Sequence, residues 1–283
     1  MKIAVLDDYQ GVAKTFADWR ALEGAHDVHV FREHIAGGRE AVVAALQDFD
    51  VIAAMRERTV FDRATLEQLP NLKFMVTTGM RNSSIDMAYL KERGIACSGT
   101  AGRTQTTPEL AWGLILAVAR NIPLEDGNMR AGRWQQTIGL DLEDKTLGIV
   151  GLGRLGREMA RIGQAFKMDV IAWSQNLTQA GAAEVGVRRV EKGALFAEAD
   201  VVTVHYKHSE RSTGLLGAAE FAAGTLTDPE AAYGFRWILY HDSDGCRPVE
   251  AGSTLGPARV QRVFRYAGSC LYALRLSEGE GES

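Results

Sequence analysis

Residues 146–166, TLGIVGLGRLGREMARIGQAF, restrict the possible fold more than any other stretch of this chain. TLGIVG is an apolar run that reads as a strand. Gly151, Gly153 and Gly156 follow at once, and Leu155, Met159, Ile162 and Phe166 then recur at helical spacing. A strand, a GxGxxG turn and an amphipathic helix in that order form the opening of a dinucleotide-binding βαβ unit. The first glycine turns the chain, the second lets backbone approach a pyrophosphate, and the third lets helix and strand pack closely. The helix N-terminus adds unpaired N–H groups and the positive end of its dipole.

The flanking sequence continues the same alternation. Before the turn, Ile3–Leu6, Val28–Phe31, DVIAAM (50–55) and LKFMVTTG (72–79) are apolar runs. Helix-period segments lie between them, at Ala41, Val42, Ala45 and Leu46 and at Leu66 and Leu69. After the turn come MDVIAW (168–173), a helical stretch at 180–185, VRRV, a helix near Leu195 and Phe196, and ADVVTVHY (199–206). Strands alternating with helices specify parallel sheets covered on both faces. Residues 104–120 read as one long apolar helix for a core or a domain seam. Thr106 and Glu109 have capping-box spacing, Thr107 before Pro108 offers another start, and Asn121–Pro123 end the helix.

Bulk properties exclude several classes. A chain of 283 residues has room for two domains, and 46% hydrophobic with 24% charged residues is ordinary globular composition. A net charge of −4 gives no reason to expect nucleic acid as a partner. Leu110–Ala119, the longest uncharged apolar run, is about half of the ~20 residues a membrane span needs. MKIAVLDD reads as no secretory signal, and Cys97, Cys246 and Cys270 lack CxxC spacing, so a cytoplasmic protein without a metal cluster is expected. His205 and His208 read as loop histidines rather than a metal pair.

The ribose partner of a dinucleotide lies ~20 residues beyond the glycine turn, at the end of the next strand. That place holds Ser174, Gln175 and Asn176, with no carboxylate and no adjacent arginine; Arg188 and Arg189 lie further on. Ser174 can bond a ribose hydroxyl. Either NAD or NADP fits, with NAD preferred because no arginine follows the strand directly.

TTGMRNSSID (77–86), TPELAWGLILAVAR, GRW (132–134), LEDKTLGIVGLGRLG (142–156), IAWSQNLT (171–178) and ADVVTVHYKHSERSTGLLG (199–217) occur in this order. Together they resemble the D-isomer-specific 2-hydroxyacid dehydrogenases, from residue 1 to about 223. The resemblance implies an α/β fold of two Rossmann/flavodoxin-like parallel-sheet domains joined by the long helix, with cofactor and substrate between them. Residues 1–100 would be the substrate-side domain, 101–224 the NAD(P)-binding domain, and 225–283 an atypical tail. It implies backbone N–H groups at Gly79, Met80 and Arg81 for a substrate carboxylate. Arg154 and Leu155 would turn their amides to the pyrophosphate, and His205, Tyr206 and Lys207 would border the nicotinamide. The implied reaction is hydride transfer between nicotinamide and a small 2-keto or 2-hydroxy acid, in a homodimer.

The resemblance also implies a catalytic arginine, a histidine and a carboxylate paired with it. An ungapped count puts the arginine at Phe235, the carboxylate near Phe264 and the histidine near or beyond Ser283; no histidine follows His241. Arg236 and His241 are the remaining candidates. Composition also shifts: the last lysine is Lys207 and the last methionine Met168, while Cys246 and Cys270 fall in the tail. The tail thus reads as a foreign or out-of-frame ending joined at about Gly224, or as a diverged segment that still folds. In the second case FRWILYH supplies a strand, and Val260, Val263, Phe264 and Ala267 have helical spacing.

Overall fold

The computed structural model describes residues 1–206, 212, 214–216 and 220, together with the backbone of three strands within 236–275. The chain divides into two compact units, Met1–Arg103 and Thr104–Ser283.

In the first unit the order is β1 (Lys2–Val5), α1 (Ala13–Phe16), α2 (Arg20–Glu23), β2 (Asp27–Val30), α3 (Gly38–Leu46), β3 (Val51–Ala54), α4 (Arg63–Leu66), β4 (Phe74–Thr77), α5 (Met87–Glu92) and β5 (Ala96–Gly99). All pairings are parallel, and the strand order is β2-β1-β3-β4-β5, the flavodoxin-like arrangement. Leu6, Ile52 and Met75 from the strands and their extensions pack with Leu46, Phe61, Leu66, Leu69 and Leu90 in one core. The apolar runs mark β1, β3 and β4 because a covered strand in such a sheet is apolar along its length, while β2, at the sheet edge, alternates as DVHV. By contrast β5, with the sequence ACSG, is small and polar and carries no such signal.

The second unit begins with α6 (Thr106–Ala119) and α7 (Ile122–Arg130). It continues through β6 (Thr146–Val150), α8 (Arg154–Ala165), β7 (Asp169–Trp173), α9 (Gln179–Ala183), β8 (Arg188–Arg189), α10 (Lys192–Glu198) and β9 (Val201–Val204). Three strands, β10 (Arg236–His241), β11 (Arg259–Tyr266) and β12 (Ser269–Arg275), complete it. The sheet runs β8-β7-β6-β9-β10-β12-β11. Its first five members are parallel, which is Rossmann order, and β12 and β11 add an antiparallel pair.

The long apolar helix is α6, and it belongs to this second unit. Its Ala111, Trp112, Ile115 and Val118 share a core cluster with Leu147, Ile149, Met159 and Ala160. Trp112 lies 5.0 Å from the Phe166 ring. Neither proposed cap forms: the N-cap is Gln105, whose side chain makes no capping bond, and Thr106 already has helical geometry. Pro108 is accommodated because the first turn needs no N–H from it. The stop at Asn121–Pro123 is also a start. Asn121 is left-handed with φ 53°, and Pro123 sits in the first turn of α7, a helix the apolar pattern hides.

In the tail, Arg236–His241 of the FRWILYH segment form a strand: β10 pairs in parallel with β9, Trp237 opposite Val201 and Leu239 opposite Thr203. The helical reading of Val260, Val263 and Phe264 is corrected to strand β11, antiparallel to β12, while Ala267 lies outside the described residues. A register shift between Arg262 and Phe264 inserts one residue and breaks the period of two, so the apolar spacing imitates a helix.

Candidate functional site

The strand β6 lies between β7 and β9, at the point where the strand order reverses. Such a switch point opens a crevice at the carboxyl ends of the strands. The turn after β6 is shaped by its three glycines. Gly151 has φ +101°, and a Cβ there would stand 2.9 Å from the His205 carbonyl oxygen and 3.0 Å from the Tyr206 ring. Its amide donates to the Trp173 carbonyl at 2.9 Å. A Cβ on Gly156 would run into the Gly151 carbonyl oxygen, so the third glycine sets how closely α8 sits on β6. Gly153 differs from both: a Cβ there meets nothing within 4 Å.

Gly153 is also the N-cap of α8 and supplies no side-chain cap. The amides of Arg154 and Leu155 therefore have no acceptor among the described residues. An uncapped helix N-terminus beside an open backbone cradle has the chemistry to hold an anion. The residues present fit a pyrophosphate there. Arg154 extends its side chain to Thr104, donating from Nη1 at 2.8 Å.

The neighbouring strand ends close in on this turn. Ser174 Oγ accepts the Leu152 amide at 2.9 Å. Tyr206 Oη accepts the Gln175 amide at 2.8 Å, and its ring stacks on Trp173 with centroids 6.3 Å apart. His205 donates its amide to Val150 at 2.8 Å, and its Nε2 lies 2.8 Å from the hydroxyl of fully buried Thr203. Lys207 lies outside the described residues. Both later arginines are committed. Arg188 pairs with Asp169 and Glu198, each at 2.9 Å, and those bonds hold its pKa above the usual guanidinium value. Arg189 pairs with Glu191 at 2.8 Å and donates to the Leu177 carbonyl.

Arg236 and His241 open and close β10. Since β10 runs parallel to β9, Arg236 lies at the amino edge, away from the glycine turn, and His241 at the carboxyl edge. Their side chains lie outside the described residues. Phe235, which the ungapped count reaches, lies outside the described residues.

In the first unit, Gly79 follows β4 with φ +99° and donates its amide to Thr100 Oγ1 at 3.0 Å. That amide is engaged, whereas those of Met80 and Arg81 find no acceptor among the described residues; both side chains are exposed. Sequence reasoning missed three neighbours at this edge. Arg56 is left-handed, with φ 52°, and its guanidinium fills the space a Cβ on Gly79 would need. Asn82 bridges the Arg56 carbonyl at 2.6 Å and Thr77 Oγ1 at 2.9 Å. Asp7, left-handed and buried after β1, accepts from Thr59 and Tyr9 at 3.1 Å each and faces His34 Nδ1 at 3.1 Å. Burial and the Asp7 charge raise the Tyr9 pKa. The acidic LDDYQ ending of the first strand was the one available signal for this cluster.

Residues 112–225 match the NAD binding domain of the D-isomer specific 2-hydroxyacid dehydrogenases. The chain is 33% identical over 210 residues to D-3-phosphoglycerate dehydrogenase of Archaeoglobus fulgidus, covering 69% of this chain and 40% of that protein. It is 28% identical over 211 residues to glyoxylate reductase of Thermococcus litoralis, covering 71% of this chain and 63% of that one. It thus spans less than two thirds of either relative. The crystal structure of phosphoglycerate oxidoreductase from Vibrio cholerae O395 is similar at TM-score 0.73 and 32% identity, covering 80% of this chain and 72% of that one.

Proposed function

Because the chain belongs to the D-isomer-specific 2-hydroxyacid dehydrogenase family, we propose that it binds a nicotinamide dinucleotide on the β6–α8 turn and transfers hydride to or from a small 2-keto or 2-hydroxy acid. The observation that carries this reading is the open cradle at Gly153 beside the uncapped start of α8. When bound, the nicotinamide donates or accepts the hydride. The chain's own residues bind and orient. Arg154 and Leu155 offer amides to the pyrophosphate, Ser174 serves the ribose, and His205, Tyr206 and Lys207 border the crevice. Met80 and Arg81 offer amides to the substrate carboxylate. Residues 1–100 take the substrate side and 101–224 the cofactor side. Either NAD or NADP serves, NAD slightly preferred, since Arg188 and Arg189 are paired with carboxylates.

A homodimer is part of this reading. Leu110, Ile122, Leu124, Met129, Trp134 and Ile138 are large apolar side chains exposed within one stretch, Ile138 by 95%. So many large apolar side chains left exposed along one segment support a protein interface. A cytoplasmic location fits the unpaired cysteine spacing.

A second reading, dinucleotide binding without turnover, is favoured by the position of Arg236 at the amino edge of its sheet. A nicotinamide-fluorescence titration combined with reductase assays on glyoxylate, hydroxypyruvate and pyruvate separates the two. Binding with turnover is the expected result. Binding without turnover supports the second reading, and no binding removes both.

A further inference from the structure

At the carboxyl end of the second strand, a dinucleotide fold normally places a carboxylate for the adenosine ribose. This chain has none there, yet the structure brings two hydroxyls to the spot. Ser174 arrives from the end of β7 and accepts the Leu152 amide at 2.9 Å. Tyr206 arrives from the end of β9, its ring stacked on Trp173, and accepts the Gln175 amide at 2.8 Å. Its ring also borders Gly151.

Each hydroxyl oxygen thus has one lone pair occupied by a backbone amide. The amide fixes the oxygen and leaves an O–H to donate and a second lone pair to accept. Neither O–H has an acceptor among the described residues. A carboxylate at this place only accepts, so it suits ribose hydroxyls and repels a 2′-phosphate. A hydroxyl pair carries no charge. It accepts from a ribose hydroxyl and donates equally well to a phosphate oxygen. Among the described residues, the cations that would reward a phosphate, Arg188, Arg189 and Lys192 over the Trp173 ring, are already paired.

We propose that Ser174 and Tyr206 form a neutral clamp for the adenosine ribose, through which the chain accepts both NAD and NADP forms. A single neutral hydrogen bond shifts affinity by roughly tenfold at most, so discrimination stays within about tenfold. The proposal rests on the reading of the glycine turn as the cofactor site, and it moves Tyr206 from the nicotinamide end to the adenosine end.

Dissociation constants of NADH and NADPH, read from nicotinamide fluorescence on the full chain, test it. In the unmodified protein the two constants should agree within about tenfold. Ser174→Asp should weaken NADPH by about thirtyfold more than NADH, because it restores the repelling charge. Tyr206→Phe should weaken both forms by about three- to tenfold with an unchanged melting temperature. A preference beyond tenfold in the unmodified protein overturns the clamp while leaving the cofactor reading intact. Equal losses for both forms in Ser174→Asp, or unchanged constants in a folded Tyr206→Phe, overturn it too. If the unmodified protein binds neither form, the glycine-turn reading fails and the clamp falls with it.

Discussion

Strands β1 and β6 occupy equivalent places in their sheets. Each is flanked by the next strand in sequence on one side and by a later one on the other, so each ends at a switch point. Both turns even begin with a left-handed residue, Asp7 at φ 56° and Gly151 at φ +101°. Their chemistry is opposite. After β6 the backbone is bare and α8 starts uncapped. After β1 the turn is DDYQG: Asp7 is buried and bonded inward, while the Asp8 carboxylate accepts the amides of Val12 at 2.9 Å and Ala13 at 3.1 Å. The amides that could meet an anion there are already taken by the chain's own anion. Topology supplies a crevice in both units, and the turn residues decide whether it can hold a phosphate.

The largest effect should come from Gly156→Val. The new side chain would collide with the Gly151 carbonyl oxygen and with Ile149 Cγ2, and backbone cannot yield as a flexible side chain does. The helix would have to lift from β6, at a cost of roughly 3 kcal/mol or more. We expect insoluble protein or a melting temperature lowered by more than about 10 °C. A soluble variant melting within 3 °C of the parent would show, roughly on the same scale, that the close packing of α8 on β6 is dispensable.

Next comes Gly153→Val, which isolates the open cradle. Its Cβ meets nothing, so the fold should persist with a melting shift of a few degrees. The isopropyl group would nevertheless fill the space that a pyrophosphate needs. NADH affinity should fall by about fiftyfold or more, about 2.3 kcal/mol. Unchanged affinity in the folded variant would mean that the turn is packing geometry only, and the contrast between the two units would then lose its functional meaning.

These two substitutions concern the part of the molecule that was most readable. Apolar runs disclosed β6, β7 and β9 because strands in a covered parallel sheet are apolar throughout, and spacing disclosed the three glycines. Elsewhere the local signal was absent or misleading. The strand β5 is made of small residues, α7 begins at a proline that also ends α6, and β11 carries a bulge that converts alternation into a helix-like spacing. At the site, Ser174 was legible from its distance to the turn. The phenol of Tyr206 meets Gln175 across 31 residues, a pairing fixed by the β6–β9 neighbourhood and by nothing local. Arg56 and Asp7 adopt left-handed backbone without being glycine, which is imposed by the surrounding structure and leaves no mark in composition.

The smallest effect belongs to the filled turn. Asp8→Ala removes the carboxylate that accepts the Val12 and Ala13 amides at the start of α1. Asp8 is only 5% exposed, so the amides lose a partner that water replaces incompletely. A lost cap of this sort costs about 1 kcal/mol, up to about 2 kcal/mol. Urea denaturation should therefore show a lower midpoint with an unchanged slope. Emptying the turn should not convert it into a second phosphate site, because α1 has only four residues and too little helix to hold an anion at its end. Isothermal titration of Asp8→Ala with inorganic phosphate should superimpose on that of the unmodified protein, since both keep the β6 turn. An added phosphate site in Asp8→Ala, absent from the unmodified protein, would break the comparison, since it would show that removing one carboxylate makes the two crevices equivalent. Superimposable titrations together with a stability loss would sharpen it, leaving the glycine turn and the length of α8 as the difference between them.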